Sequence, residues 1–253
     1  MSRMLATIFT LDSLEVKQVA ENFFKLLERQ QFSPQKIGEY EPLKLDYTLE
    51  GAVNMWTQEG DGCYVEGIGM TGKAGGMIGK TKEPQFRFDM NWWRCPHKTY
   101  VNYIDFHFPI KTFKKYKVNI ESLFMETISL TKAIYGYITH YVPLDRQHVT
   151  GTLETRMPGV FWCNYFGQQY IKFFTEEKIL SFPWYKIERL DNGGIMAYLA
   201  SEPDKELVKS DVLENQAKAH LGKDAFGDIE MYKANPDELQ VRNVPRLMTN
   251  QVI

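Results

Sequence analysis

Cysteine is scarce in this sequence: Cys63, Cys95 and Cys163 are the only three, far apart along 253 residues. An odd, scattered set gives no disulfide framework and fits a reducing compartment. Long hydrophobic runs are missing as well. The opening "MSRMLATIFTLDSLEV" holds one short apolar stretch, ended by Asp12 and followed by no small-residue cleavage site. It reads as neither a secretory signal nor a membrane span, so a cytoplasmic protein is expected. No short-period repeat and no low-complexity tract occurs, which sets aside solenoids and disordered linkers. There is no G-x-S-x-G elbow for a serine nucleophile. The five histidines are His97, His107, His140, His148 and His220. His97 follows Cys95 in "CPH", and His140 and His148 bracket "YVPLDRQ", but neither finds a second pair at metal spacing. No metal and no other cofactor is expected.

A phosphate loop is nearly present. In "GIGMTGKAGGMIGKT" (67–81), Gly67, Gly72 and Lys73 satisfy G-x-x-x-x-G-K-[ST] until Ala74 replaces the hydroxyl. Gly79, Lys80 and Thr81 satisfy its second half, but Ala74 then stands at the first glycine. The motif works by wrapping phosphates in glycine amides at a helix N-terminus. Thr81 leads instead into "KEPQFRFDMNWW", a turn entering a strand, so the helix is absent. The stretch is expected to be a mobile loop or a hairpin.

The remaining composition is that of an ordinary globular protein, 43% hydrophobic and 25% charged, with 14% aromatics to fill sheet faces. A chain of this length buries roughly three quarters of its extended surface and needs no staples. Net charge is only −2, but residues 201–240 carry ten acids and five bases, a local −5. Such runs are usually solvated faces; the sharper reading is a patch complementary to a basic partner.

Residues 3–11 read as a strand, followed by a helix opening at Asp12 and Glu15 with capping-box spacing. Val16, Val19, Ala20, Phe23 and Leu27 share its apolar face. A short helix is expected near 48–58, and strands at "GCYVEGIG", "FRFDMNWW" and "TYVNYIDFHF". In the second of these, Phe86, Phe88, Met90 and Trp92 alternate with Arg87, Asp89, Asn91 and Trp93, as a sheet buried on one side requires. The pattern restarts near 110 with the helical rhythm of "KVNIESLFMETISLTKAI" and the strands "YGYITHYV", "VFWCNYF", "WYKIERL" and "IMAYLA". "DNGG" (191–194) marks a hairpin. "DKELVKSDVLENQAKAHLG" is expected as one amphipathic helix with Leu207, Val208, Val212, Leu213 and Ala217 inside and Gly222 as its C-cap. The expected fold is α+β: a half over residues 1–110, a half over 111–232 and an irregular tail over 233–253. Each half has an antiparallel sheet with a long helix packed on it, an order compatible with a duplicated ferredoxin-like plait.

Signs of catalysis are missing. "PD" at 203–204 and 236–237 and E-x-K at 15–17 and 176–178 occur in the wrong order for a metal-dependent nuclease, and chance explains them. No ionisable cluster punctuates the strand ends.

The most distinctive segment is "PGVFWCNYFGQQYIKFFTEEKILSFPWYKIERLDNGGIMAYLASEP" (158–203), in which a turn, an aromatic strand, a short helix and a strand pair compose a core. It resembles the bacterial immunity protein 52 family. The family's G-x-x-W-x-N-[YF]-[FL]-G is met by Gly159, Trp162, Asn164, Tyr165 and Gly167. Its E-K-[IL] is met by Glu177 and Lys178, and its P-x-Y-[KR]-[VI]-E by Pro183, Tyr185, Lys186 and Glu188. "AKAHLGKDAFG" (217–227) is similar to the family's closing helix and turn, and over 1–140 the order of elements agrees. A related group of type VI secretion immunity proteins shares much of the pattern.

The resemblance implies a bacterial protein that neutralises a cognate toxin by binding it and catalyses nothing. Toxins paired with the family often carry restriction-endonuclease-like domains, so the implied partner is a basic nuclease, with no direct contact to nucleic acid or membrane. An acidic surface would steer toward such a partner. The candidate contacts are therefore Glu202, Asp204, Glu206, Asp211, Glu214, Asp224 and Asp228, with consecutive Trp92 and Trp93 as an anchor pair. The alternatives are a small-ligand- or nucleotide-binding enzyme using the Gly-rich 67–80 loop as a lid, and an interaction domain with no toxin.

Overall fold

The computed structural model describes residues 2–96 and 99–247. The chain divides into two units, Arg3–Ala133 and Ile134–Leu247. The division falls later than the 110/111 boundary read from the sequence. The helix over 117–130 buries Ile120, Leu123, Phe124 and Ile128 within the first unit.

In chain order the first unit contains β1 (Arg3–Thr10), α1 (Lys17–Arg29), β2 (Lys36–Gly38), β3 (Leu45–Asp46) and α2 (Leu49–Thr57). Next come β4 (Gly60–Val65), β5 (Gly69–Thr81), β6 (Phe86–Arg94), β7 (Asn102–Pro109), α3 (Ile110–Lys115) and α4 (Lys117–Leu130). Its sheet runs β1-β7-β6-β5-β2-β3, with β4 also beside β5. The alternation of residues 86–93 does what the sequence predicts: Phe86, Phe88, Met90 and Trp92 are buried and Arg87, Asp89, Asn91 and Trp93 are half-buried on the other face. Helix α1 lays Phe23 on the covered face, its ring 4.9 Å from Trp56, 5.3 Å from Phe88 and 6.1 Å from Phe106. Two indole N–H groups tie this core to backbone, Trp56 to Leu14 O (2.6 Å) and Trp92 to Trp56 O (2.9 Å). Buried indoles need such acceptors.

Helix α1 starts at Lys17 and not at Asp12, and Val16 at its N-cap makes no side-chain cap. The 12–16 segment is held in an irregular path by long-range bonds: Asn102 Nδ2 donates to Asp12 O, Trp56 Nε1 donates to Leu14 O, and Leu14 is fully buried. Tertiary packing here overrides the local capping signal. The short helix expected near 48–58 is α2, and it is capped by Thr48, whose Oγ1 accepts from Gly51 N at 3.0 Å.

The glycine-rich stretch is a strand. Val65 and Ile68 close a tight turn (Ile68 N–H to Val65 O, 3.0 Å) and β5 then runs the length of the sheet. Its glycines lie opposite the bulk of β6: Gly75 pairs with Trp92, Gly76 with Asn91 and Gly79 with Phe88. A Cβ on Gly75 would sit 2.5 Å from the Trp92 ring, and one on Gly79 2.2 Å from Phe88. The glycines make room for large rings that lie across the neighbouring strand. Paired with β4 or β6 along nearly its whole length, and on both sides at 73–74 and 78–80, β5 is neither a phosphate loop nor a lid, which corrects the lid reading of 67–80.

The second unit contains β8 (Tyr135–His140), α5 (Tyr141–Arg146), β9 (Cys163–Phe166), α6 (Gln168–Phe174), α7 (Glu176–Ser181), β10 (Lys186–Arg189) and β11 (Ile195–Tyr198). It closes with α8 (Glu206–Lys209), α9 (Val212–Leu221) and α10 (Ile229–Ala234). Its strands are ordered β10-β11-β9-β8. The described pairings between these strands within each unit are antiparallel; an isolated parallel bridge joins Met157 and Phe226 outside them. A ferredoxin-like plait requires a parallel central pair; the architecture is α+β with a different strand order.

The "DNGG" signal forms its hairpin, with Gly193 at φ +77° and Leu190 N–H donating to Gly194 O. The helix expected over 204–222 is broken at Ser210 and Asp211 into α8 and α9. Arg146 stabilises the break: its guanidinium donates to Leu207 O and Ser210 O, carbonyls freed at the interruption. Beyond α10 the described tail is irregular but tethered, Gln240 bonding both Asp228 N (2.7 Å) and Asp228 O (2.9 Å). Residues 248–253 of the expected tail lie outside the described residues.

Candidate functional site

The residues singled out by the family pattern are partly architectural. Trp162 is buried and donates Nε1–H to Ala200 O at 2.9 Å. Asn164, fully buried, both accepts from Phe161 N (2.9 Å) and donates to Phe161 O (2.8 Å), closing a local turn on itself. Tyr165 carries its hydroxyl to Asn192 Nδ2 (3.2 Å) in the hairpin, and Gly167 N–H donates to Ile134 O (2.9 Å) as α6 begins. Gly159 has φ +152°, and a Cβ there would meet Gln147 Oε1 at 2.7 Å. Pro183 and Tyr185 are exposed ahead of β10 and lie outside that core.

The candidate contact residues separate by burial. Trp92 is 0% exposed and Glu214 is 0% exposed, so neither is available as a contact. Trp92 is buried on the same face as Phe86, Phe88 and Met90, the even-numbered positions before it in β6. Glu214 is held by Arg146 (Nε to Oε2 2.9 Å, and a second bond at 2.5 Å), a pair joining residues 68 apart in sequence. Burial raises the Glu214 carboxyl above its ordinary value even though the guanidinium pulls it down. Glu206, Asp211, Asp224 and Asp228 are exposed; Glu202 and Asp204 are half-buried. Some of these acids also hold structure. Asp228 Oδ1 caps α10 by accepting from Glu230 N and Met231 N, both at 3.0 Å, and Asp224 Oδ2 accepts from Asn243 Nδ2.

Trp93 lies on the opposite face of the first sheet from Trp92, its ring 6.1 Å from Tyr100 and 5.8 Å from Tyr103. Below this aromatic group the same face carries a charged cluster that the sequence did not reveal. Asp89 and Asp105 are direct cross-strand partners on β6 and β7, and Arg87 and His107 are the next pair along. Arg87 Nε donates to Asp89 Oδ2 (2.7 Å), its second nitrogen bonds Oδ1, and His107 Nε2 lies 3.2 Å from Oδ2. Glu41 bonds both Arg87 (3.2 Å) and Lys80. Burial would raise the Asp89 carboxyl, but bonds from His107 and Arg87 outweigh it and hold the group below its ordinary value. Asp105 is pushed up to about 6 by burial, with His107 and Arg87 pulling it partway back. Thr7 Oγ1 and Asp105 Oδ1 are buried and neither reaches hydrogen-bonding geometry. Like charges directly opposite on a sheet repel; Arg87 and His107 one register step away offset this. The signal available in the sequence was the polar half of the alternation, Arg87-Asp89-Asn91 beside Tyr103-Asp105-His107, which only strand pairing places together.

Two serine–histidine contacts occur, and in both the imidazole is set as a donor at Nε2. His140 Nδ1 accepts from Val142 N (3.1 Å), leaving Nε2–H for Ser2 Oγ at 2.5 Å. His220 Nε2 lies 2.8 Å from Lys178 O, a contact only a protonated nitrogen makes, and 3.1 Å from Ser181 Oγ. A general base needs the free lone pair at that atom. Among the described residues no group of three or more His, Cys, Asp or Glu is placed to hold a metal ion, and His97 of the "CPH" stretch lies outside them. No helix of the described residues is long and apolar enough to cross a membrane.

Among solved structures, the fold is similar to that of the Pseudomonas aeruginosa T6SS protein PA0821, with a TM-score of 0.56 at 14% sequence identity. The likeness covers 92% of this chain and 80% of that one. No family model matches the chain. No curated protein sequence matches it.

Proposed function

We propose that this protein is an immunity protein that binds and neutralises a cognate bacterial toxin, a nuclease acting in the cytoplasm, and has no catalytic activity of its own. The observation that carries the reading is the fold similar, over 92% of the chain, to that of a Pseudomonas aeruginosa T6SS protein. The immunity-family pattern over 158–227 agrees with it. The surface chemistry supports it further: both serine–histidine contacts carry the proton where a base would need a lone pair. The charged and aromatic groups lie on open faces suited to a protein partner. Exposed Glu206, Asp211, Asp224 and Asp228 would steer a basic nuclease toward the second unit and slow its escape.

The test is expression of the adjacent gene's product, alone and together with this protein. Growth arrest by the product alone, relieved by co-expression, is the expected result. An adjacent product that is harmless alone, or whose toxicity this protein leaves untouched, removes the reading.

A further inference from the structure

The glycine-rich strand has one feature that sheet packing does not use. β5 pairs with β6 only from Lys73 onward, its partner there being Arg94. Residues 69–71 pair with Val65 to Cys63 of β4 alone, and β4 has no further strand neighbour among the described residues. The distal hairpin is thus a two-stranded ribbon projecting past the end of β6. Such a ribbon is marginally stable by itself and is normally kept polar. Here it carries three large apolar side chains in seven residues: Tyr64 is 69% exposed, Ile68 55% and Met70 59%. Tyr64 and Met70 are direct cross-strand partners, so they form one contiguous surface, and Ile68 sits in the turn beyond them. The tip is narrow. Gly67 (φ +78°) and Gly69 (φ +92°) flank Ile68, and an added Cβ at either would touch nothing within 4 Å.

The tip itself carries one sign of charge. Towards the base, Glu59 is neutralised by Arg94 (2.6 Å) and Asp61 lies across the ribbon from Lys73. Between Gly62 and Gly72 the charged residue is Glu66, exposed within the turn. An acidic, apolar-tipped finger two strands wide, roughly 5 Å between strand axes, fits a concave, basic cleft better than a flat surface.

We propose that the β4–β5 tip is the part of this protein that enters its partner, inserting Tyr64, Ile68 and Met70 into the basic cleft of a nucleic-acid-cleaving protein, with Glu66 meeting a cation there that otherwise holds phosphate. This rests on the neutralisation reading and adds where and how the partner is engaged. Aromatic and methionine side chains are the residues that dominate such contacts. The glycines serve the same purpose, since bare backbone lets the tip pass through a narrow opening.

The test uses the full chain and the adjacent gene's product with its active site inactivated, titrated calorimetrically. The double variant Tyr64→Ala with Met70→Ala is compared with wild type, Glu66→Lys tests the charge, and Glu28→Lys on α1 is the control. All four positions are exposed, and an unchanged melting temperature verifies folding. A loss of affinity on the order of 30-fold or more in the double variant is expected, with a smaller loss for Glu66→Lys. Binding by the double variant within that margin of wild type overturns the insertion and leaves the neutralisation reading standing. Failure of the wild type to bind at all removes both.

Discussion

The two units solve burial differently. Strands β6 and β7 of the first unit alternate buried and half-buried residues along nearly their whole length, whereas every residue of β8, β9 and β11 in the second unit is buried. A sheet covered on one side leaves the other free for polar chemistry; strands covered on both sides leave none. The first unit accordingly presents Arg87, Asp89, Asp105, His107 and the Trp93 group on strand faces, and the second presents its charge on helices and loops. Function in the two units must therefore be sought on different kinds of surface.

The most severe test of this contrast compares adjacent tryptophans. Trp92→Ala should cost roughly 3–5 kcal/mol in chemical unfolding, because a fully buried indole is lost and Trp56 O loses its donor. Trp93→Ala, on the open face, should cost less than about 1 kcal/mol. Equal losses would mean that both faces are covered. In the second unit Arg146→Leu should cost roughly 3 kcal/mol, since Glu214 would remain buried without its counter-charge and two carbonyls at the α8–α9 break would lose a donor. A loss near zero would show that the break does not depend on the pair. Gly79→Ala should cost about 1–3 kcal/mol by forcing a methyl against the immobile Phe88 ring. Indifference to it would separate the glycines of β5 from the rings of β6.

The smallest effect has the opposite sign. Asp105 titrates near 6 in the folded protein, against roughly 3.9 in an unfolded chain. Between those values the folded state keeps a proton that the unfolded state releases, so this group's effect on stability worsens as pH rises through the window and is fully adverse above it. Asp105→Asn should raise the melting temperature by about 2–4 °C at pH 7.5 and leave it unchanged at pH 4. A gain at both pH values would tie the effect to packing in place of charge.

The same contrast explains what was legible in the sequence. The alternation at 86–93, the short helix near 48–58 and the "DNGG" hairpin are local patterns, and each is found where it was expected. Helix α4 and the short α6 after Gly167 obey equally local rhythms. The features that escaped depend on partners far along the chain. The capping box at Asp12 lost to Asn102 and Trp56, which hold that segment out of the helix. The continuous apolar pattern over 204–222 hid a break stabilised by Arg146. Glu214 reads as a surface acid until its guanidinium partner is placed, and the Asp89–Asp105 pair exists only once β6 and β7 are in register. The glycine-rich stretch was legible as far as the hairpin, one of its two expected forms. What escaped is that its conformation is fixed by the rings opposite it on β6.

The central claim, recognition of another protein without chemistry, is tested most directly by mixing purified protein with the inactivated product of the adjacent gene and measuring heat of association. The account predicts saturable one-to-one binding with a dissociation constant at or below about 10 nM. No detectable heat at micromolar concentrations, with the adjacent product shown to be folded, would contradict it.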